Sequence, residues 1–275
     1  MLIFRNGHAA TAADLALPAL VNDGHFTTMQ VRGGAVQGLE LHLQRLANAH
    51  RTLFSRELDT ARARADCAAA ITASGLADTT LRVTVHPGGS HLDASGPVVL
   101  VSLAAPALPG ADGLRLKSFV YVRELPGVKH VGTFPLLHYR RLACVAGCDD
   151  ALFVTAGGLV CEGSFWNLAL WDGRMVIWPD GPALRGTREQ LLQREFRRAG
   201  VAQQVRAVAL DELPGLAGIC CNSRGVQPLA SVDGRKLSDP AALLALAAAA
   251  DVRILWDPLD TKEGGAPTVA GTASL

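Results

Sequence analysis

The chain has 275 residues, of which 49% are hydrophobic and 19% are charged, and its formal net charge is +1. This composition is typical of a globular protein of one or two domains, and the lack of a basic stripe argues against a nucleic-acid partner. No apolar run reaches the roughly 18 residues of a membrane span, and the apolar run within residues 1–6 is too short for a secretory signal. We therefore expect a cytoplasmic protein that binds no membrane and keeps its six cysteines reduced.

The N-terminal part of the sequence predicts a sheet with two helices. An Asn6-Gly7 turn separates short strand-like pieces, and Gly33-Gly34 indicates a hairpin. Partial alternation indicates strands, and leucines at helical spacing indicate helices. The predicted strands are 25–31, 35–37, 80–85 and 98–103, and the predicted helices are 39–54 and 58–74.

Residues 104–113 are small, rich in Pro and Gly, and uncharged until Asp112, which is typical of a linker. We therefore predict an α/β protein with a small N-terminal domain over 1–105, a linker over 106–113 and a larger domain over 114–258. A small, polar tail over 259–275 is predicted to be disordered.

The larger domain predicts hairpins separated by helices. Ala156-Gly157-Gly158 and Asp172-Gly173 are turn signals between apolar runs. Ser238 or Asp239 is the predicted cap of an alanine-rich helix. The predicted strands are 114–123, 151–155, 159–162, 167–171 and 174–178, and the predicted helices are 136–146, 188–200 and 241–250.

Lysine is rare in this chain, with four lysines against twenty-two arginines. Lys129 follows a Pro126-Gly127 turn, and lysine at such a position suggests amine chemistry, because it can be neutralised and can form a Schiff base whereas arginine cannot. The alternative is that Lys129 is a solvated cation in a loop.

Glu162 lies at the end of a predicted strand, beside Cys161, Phe165 and Trp166. A carboxylate in such apolar company is costly to bury without a cationic partner. The alternative is a turn carboxylate in water. Cys144 and Cys148 lie one helical turn apart and no C-x-x-C pair occurs, so the cysteines do not predict a metal site.

Three segments together resemble the class IV aminotransferases, which are fold-type IV pyridoxal-phosphate enzymes. They are Val128-Lys129, GCDDAL over 147–152 and VCEGSFWN over 160–167. The family includes D-amino acid and branched-chain aminotransferases and aminodeoxychorismate lyase. The resemblance implies a two-domain fold with pyridoxal 5'-phosphate between the domains, Lys129 as the Schiff-base lysine, Glu162 paired with the pyridine nitrogen, and a homodimer.

The resemblance also implies a phosphate site. HLQRL over 42–46 matches the family pattern H-x-x-R-L, in which the arginine, here Arg45, contacts phosphate; His42 is expected to support helix packing. Gly186 and Thr187 match a phosphate-binding loop before a helix, with two alignments open because Arg188 stands where a threonine is usual. Asn222 and Ser223 resemble a second phosphate loop, or they cap a turn.

The implied function is transfer of an amino group between an amino acid or amine and a keto acid. Two alternatives stay open: an aminodeoxychorismate lyase that releases pyruvate and 4-aminobenzoate, and a non-catalytic pyridoxal-phosphate-binding protein. Phe26-Thr27-Thr28 is similar to a stretch of that lyase, and Phe26, Thr28 and His86 are the predicted substrate contacts. The loop over 86–91 is short and lacks the arginine with which some family members hold a substrate carboxylate.

Overall fold

The computed structural model describes residues 1–88 and 96–260, and its strands form two sheets. The first sheet has seven strands in the order β16-β4-β3-β5-β6-β1-β2, and all its pairings are antiparallel. Its strands are β1 (Leu2–Arg5), β2 (His8–Ala9), β3 (His25–Arg32), β4 (Ala35–Gln37), β5 (Thr79–Pro87), β6 (Pro97–Ala104) and β16 (Trp256–Pro258).

The second sheet has nine strands in the order β12-β11-β10-β13-β14-β7-β8-β9, with β15 paired to β14. It is mixed, because β7 runs parallel to both β8 and β14, and β11 runs parallel to β12. Its strands are β7 (Leu114–Val120), β8 (Asp150–Val154), β9 (Val160–Gly163), β10 (Asn167–Trp171), β11 (Val176–Pro179), β12 (Gln203–Arg206), β13 (Ala217–Asn222), β14 (Gly225–Val232) and β15 (Arg235–Lys236).

Six α-helices cover these sheets. They are α1 (Ala12–Leu20), α2 (Leu39–Phe54), α3 (Thr60–Ser74), α4 (Phe134–Val145), α5 (Thr187–Arg198) and α6 (Ala241–Arg253), and a 3₁₀ helix spans Leu210–Gly215. No helix within 1–88 or 96–260 is long and apolar enough to cross a membrane.

Four apolar clusters among the described residues hold the main elements together. In the first, Leu43 and Leu46 of α2 pack with Met29 and Leu81 of the first sheet. In the second, Leu192 and Phe196 of α5 pack on Trp178. The third lies on the opposite face of the second sheet and the fourth lies against α4, and these two cover both faces of β8, so that strand is buried along its whole length. Strand β9, which carries Glu162, pairs with β8.

The sequence-based elements agree with most of the structure, and the differences have local causes. Helix α2 has the predicted bounds, whereas α3 begins two residues late because Asp59 Oδ1 accepts a hydrogen bond of 2.8 Å from the Arg62 amide. The strand after Asp172 starts only at Val176, since Asp172 Oδ1 accepts from the amides of Arg174 and Met175, both at 2.8 Å. Side-chain acceptors in turns thus delay the next element.

Helix α1 was not predicted, because Pro18 lies inside it and a proline is a poor signal for a helix. It is stabilised at its start by a capping box: the Thr11 amide donates to Asp14 Oδ2 at 2.8 Å and the Asp14 amide donates to Thr11 Oγ1 at 3.3 Å. At the start of α6, Asp239 Oδ1 accepts from the Ala241 amide at 3.0 Å, so of the two predicted caps Asp239 makes the contact.

The division into domains at residues 106–113 stays a prediction. The last strand crosses it, since β16 pairs with β4 in the first sheet although it follows the predicted larger domain's helices. The predicted loop at His86 is wrong at its start, because His86 pairs with Val98 and extends β5. His91 and residues 261–275 of the predicted tail lie outside the described residues.

Candidate active site

A cavity of about 450 Å³ is lined by residues from both sheets and from α2 and α4. It contains every predicted site residue except His86. The residues that it brings together are Phe26, Thr28, Arg45, Lys129, Glu162, Gly186, Thr187, Asn222 and Ser223. Residues far apart in the sequence thus meet at one place.

One wall of the cavity is the face shared by β3 and β5. Phe26 pairs with Thr84 and Thr28 pairs with Arg82, so these four side chains lie on the same side of the sheet. The Arg82 guanidinium stacks on the Phe26 ring, with Cζ 3.6 Å from the ring centroid, and Nε donates to Thr84 Oγ1 at 3.1 Å. Arg82 was not among the predicted site residues, although alternation along β5 places it with Thr84 and opposite Leu81 and Val83.

Lys129 faces this wall from the segment between β7 and α4. Its Nζ lies 4.9 Å from the centroid of the Phe26 ring. Burial, together with the charges of Arg45 and Arg123, lowers the pKa of the Lys129 amine to about 7, and the Glu162 carboxylate opposes this shift. A substantial fraction of the amine is therefore neutral near pH 7, which nucleophilic and general-base chemistry requires.

Glu162 is the last residue but one of strand β9, and 3% of it is exposed. Arg123 Nε donates to Glu162 Oε1 at 3.0 Å, and Nη2 lies 3.4 Å from Oε2. The amide of Leu184 also donates to Oε2, at 3.3 Å. Burial raises the pKa of the Glu162 carboxyl, while the charge and hydrogen bonds of Arg123 oppose that rise. The sequence predicted a cationic partner for a buried Glu162; within the protein that partner is Arg123, which no motif had singled out.

The turn after Glu162 is held by Asp150. Asp150 accepts from Ser164 Oγ at 2.6 Å and from Trp166 Nε1 at 3.0 Å. Gly163 is required there, because a Cβ at this position would meet the Trp166 ring at 2.0 Å. Asp150 and its two donors therefore set the direction in which β9 presents Glu162.

The start of α5 also lines the cavity. Gly186 is the residue before the helix and Thr187 is its first residue. Thr187 Oγ1 is buried and has no hydrogen-bond partner among the described residues. A Cβ on Gly186 would meet Asn167 Oδ1 at 2.3 Å, so only glycine fits. Free amides at a helix start, with an unpaired hydroxyl beside them, suit a phosphate.

Arg188 does not line this cavity. Its guanidinium donates to Asp251 and, at 2.8 Å, to Gln37 Oε1. Of the two alignments left open by the sequence, the geometry favours the one in which Thr187 faces the anion site.

Arg45 and His42 approach the same region from helix α2. Arg45 Nη2 donates to the carbonyl oxygen of Arg185 at 2.9 Å, one residue before Gly186, and burial lowers the pKa of Arg45 to about 10. His42 Nδ1 lies 2.7 Å from Thr27 Oγ1, and burial holds the pKa of His42 well below its usual value. His42 thus supports the packing of α2 on β3, as expected, and also lines the cavity.

Asn222 and Ser223 lie at the turn between β13 and β14. Asn222 Oδ1 accepts from the Arg224 amide at 2.8 Å, and Nδ2 donates to the Phe165 carbonyl at 3.3 Å. The Asn222 side chain therefore caps its own turn while the turn lines the cavity. Both of the roles considered for this turn are compatible with the geometry.

His86 does not line this cavity among the described residues. It lies in β5 with 4% of the residue exposed, and its Nδ1 is hydrogen-bonded to the Pro87 carbonyl oxygen at 2.8 Å. We conclude that the prediction of His86 as a substrate contact does not fit its position. Within 1–88 and 96–260, no group of His, Cys, Asp or Glu residues could hold a metal ion.

Comparisons with known proteins give a family match and several similar structures. A family model described as "Amino-transferase class IV" matches residues 24–232. No curated protein matches. Among solved structures, a hypothetical aminotransferase from Mycobacterium tuberculosis in a PLP-bound form has 24% identity and a TM-score of 0.79, with coverage of 93% of this chain and 99% of that chain.

Two further structures span the range of activities among these neighbours. A fold IV-transaminase from Curtobacterium pusillum has 26% identity and a TM-score of 0.73, covering 85% of this chain and 87% of that chain. A candidate 4-amino-4-deoxychorismate lyase from Legionella pneumophila has 19% identity and a TM-score of 0.78, covering 85% and 92%. The fold-type IV architecture predicted from the sequence is confirmed.

Proposed function

The chain belongs to the class IV aminotransferase family, and we propose on that basis that it transfers an amino group between an amino acid or amine and a keto acid. The observation that carries the proposal is the position of Lys129. Its amine, with a pKa of about 7, lines the same cavity as Glu162 and the start of α5.

The residues present fit pyridoxal phosphate. A phosphate dianion suits the start of α5. There the Thr187 hydroxyl has no hydrogen-bond partner among the described residues, Gly186 has no side chain, and the Arg45 guanidinium lines the same cavity. Asn222 and Ser223 complete that side of the proposed phosphate site. On the other side, the Glu162 carboxylate suits a ring N–H donor, and Lys129 suits the aldehyde.

The protein's own groups would then carry the proton transfers. When bound, pyridoxal phosphate supplies an aldehyde for the amino group and a ring that accepts electrons. Lys129 would hold the cofactor through its amine. Once an amino substrate is bound, the neutral Nζ of Lys129 would be placed to act as general base on the substrate Cα proton and then, carrying that proton, as general acid. Phe26 and Thr28 are proposed to contact the substrate.

The identity of the acceptor as a keto acid has support from a neighbour. The Mycobacterium tuberculosis protein is also known in a form bound to alpha-ketoglutarate and PMP. In the present chain, the Arg82 guanidinium lines the cavity and donates its hydrogen bond to the neutral Thr84 hydroxyl. An anionic keto acid would therefore enter a cavity with a matching charge.

The lyase is the second candidate, and one observation favours it. Thr28 of the Phe26-Thr27-Thr28 stretch, which is similar to a stretch of that lyase, lines the cavity, and the Legionella pneumophila neighbour is a candidate lyase. The two activities differ in what happens to the cofactor: transamination leaves it as the amine, whereas elimination of pyruvate restores it.

A half-reaction screen separates these functions. The purified holoprotein is mixed with L- and D-amino acids, primary amines or aminodeoxychorismate, and the visible absorption of the bound cofactor is followed. Lasting loss of that absorption with an amino donor supports transamination. Pyruvate release without lasting loss supports the lyase. A protein that binds pyridoxal phosphate and does neither with any donor would contradict an enzymatic function.

We also propose that the protein is a homodimer. Helix α4, which borders the cavity through Thr133 and Leu137, exposes Phe134 and Val145, at 67% and 87%. Exposed apolar residues of this size on one short helix are typical of a protein interface. Sedimentation analysis should give twice the 28.8 kDa chain mass. Phe134→Asp should lower it to the chain mass, and a wild-type monomer would refute the proposal.

Cytoplasmic location stays a prediction, consistent with six unpaired cysteines in the described chain.

A further inference from the structure

Arg123 is a buried arginine whose guanidinium donates two hydrogen bonds to the Glu162 carboxylate. Its side chain is 3% exposed, and its Nε and Nη2 lie 3.0 and 3.4 Å from the two carboxylate oxygens. The Leu184 amide adds a third donor to Oε2. A carboxylate has about four acceptor sites. One site of Glu162 is therefore left for a further donor, and Glu162 lines the cavity.

We propose that Arg123 is a positioning residue for the reaction: its fork fixes the plane of the Glu162 carboxylate and keeps it ionised, so that the remaining acceptor site meets the ring N–H of the cofactor. This inference rests on the proposed function. It assigns to Arg123 an action through Glu162 and no direct contact with the substrate.

The physical reason is the burial of Glu162. A carboxyl group removed from water favours its neutral form, and a neutral carboxylic acid donates a hydrogen bond where the ring N–H needs an acceptor. Burial raises the pKa of Glu162, and Arg123 is the main group that opposes the rise. Without Arg123, the pKa of Glu162 would therefore rise further, and the neutral acid would be favoured over the carboxylate.

The planar fork of arginine matters as well as its charge. Two parallel N–H···O contacts hold the carboxylate in one plane, whereas a lysine ammonium acts as a point charge. Arg123→Lys should therefore restore the ionisation of Glu162 and only part of its orientation, while Arg123→Met should restore neither.

The chain provides a matched control in a second arginine–carboxylate fork. Arg115 Nε and Nη2 lie 3.0 and 2.7 Å from the two oxygens of Asp149, with the Arg115 side chain 58% exposed. Both forks follow the same geometry, but the Arg115 pair lies outside the cavity lining. Arg115→Met removes an equivalent fork without touching the proposed site.

The first measurement uses the protein freed of cofactor and compares unfolding across pH for wild type, Arg123→Met, Glu162→Gln and the double variant. Burial raises the folded-state pKa of Glu162 above its unfolded value, and loss of the Arg123 fork in Arg123→Met should raise it further. Protonated Glu162 therefore contributes to the free energy of unfolding at low pH, and this contribution should be lost as the pH rises through the folded-state pKa. The double variant should lose this pH dependence. If the two substitutions are additive at every pH, the fork does not control the ionisation of Glu162 and the proposal is overturned.

The second measurement compares binding of pyridoxal phosphate with binding of its analogue in which carbon replaces the ring nitrogen. Wild type and Arg115→Met should prefer the nitrogen-containing ring. Arg123→Met should lose about tenfold of this preference, and Arg123→Lys should retain part of it. An unchanged preference in Arg123→Met would show that Arg123 has a structural role only.

Steady-state kinetics complete the test. For Arg123→Met we expect kcat to fall by about tenfold to a hundredfold with KM changed by no more than about threefold. The acidic limb of the pH profile should move to higher pH, because Glu162 ionises later. A fall in kcat with an unmoved acidic limb would overturn the positioning role alone. A wild-type protein that takes up no pyridoxal phosphate would instead overturn the proposed function on which it rests.

Discussion

The main-chain amide of Phe26 donates a hydrogen bond of 2.9 Å to the carbonyl oxygen of Lys129. Phe26 belongs to β3 in the first sheet, and Lys129 precedes α4, which packs on the second sheet. The two residues meet again through their side chains, since Nζ of Lys129 lies 4.9 Å from the Phe26 ring centroid. The proposed reactive amine is therefore positioned by both sheets together, and its neighbours differ greatly in sequence position.

Glu162→Gln is expected to retain the cofactor but to slow removal of the substrate Cα proton. A neutral amide cannot stabilise a protonated ring nitrogen, so we expect a loss in kcat of about a hundredfold or more, comparable to other losses of electrostatic stabilisation. Single-turnover kinetics with an amino donor measure this step directly. Turnover equal to wild type would show that Glu162 does not act on the ring.

Arg45→Ala should weaken binding of pyridoxal phosphate by about 1.5–3 kcal/mol, through loss of a charged hydrogen-bond donor to the phosphate. Arg45→Lys should restore only part of the affinity. Titration of the cofactor-free protein measures both. The control is Arg51→Ala, on the same helix but exposed and paired with Glu57. Equal affinities for Arg45→Ala and Arg51→Ala would mean that Arg45 does not contact the phosphate.

Gly186→Ala should disturb the proposed phosphate site directly. A methyl group there would meet Asn167 Oδ1 at 2.3 Å and would push aside the residue that holds the Leu184 carbonyl at 2.7 Å. Overpacking of this kind costs about 1–3 kcal/mol, and we expect cofactor affinity to fall by about tenfold. Gly157→Ala is the control, because its nearest neighbour, Thr155 Oγ1, is 3.8 Å away. Wild-type affinity in Gly186→Ala would place the phosphate elsewhere.

The sequence predicted those elements that are determined mainly by residues within the element itself. Apolar spacing predicted α2 with its observed bounds, and Asn6-Gly7 marks a turn in which both residues have positive φ. Helix α1 was missed because its capping box was outweighed by Pro18, and β12 was missed because its residues are mostly polar and its pairing with β11 is distant in sequence. Short strands stabilised by a distant partner carry little signal of their own.

The candidate site divides in the same way. Lys129, Glu162 and Arg45 lie in motifs, so they could be selected from the sequence. Arg123 and Arg82 could not, since the chain has twenty-two arginines and only tertiary contacts distinguish these two. Arg123 and Arg82 belong to the cavity because side chains from other segments lie within a few ångströms of them. The spacing of residues along the sequence does not carry that information.

Lys129 provides the last prediction. Because its pKa is about 7, the neutral fraction of the amine increases as the pH rises through 7. The rate at which the cofactor-free protein attaches the cofactor should therefore rise over that range and level off above it. Lys117 behaves differently, because Asp233, 2.8 Å from Nζ, raises its pKa. Borohydride reduction of the holoprotein followed by peptide mapping should therefore find the pyridoxyl group on Lys129. Lys129→Ala should lose the visible absorption and the activity while still binding the cofactor non-covalently through its phosphate, and Lys117→Ala should lose neither. A label on Lys117, or none in a cofactor-saturated sample, would contradict the mechanism, because no other described amine shares the cavity with Glu162.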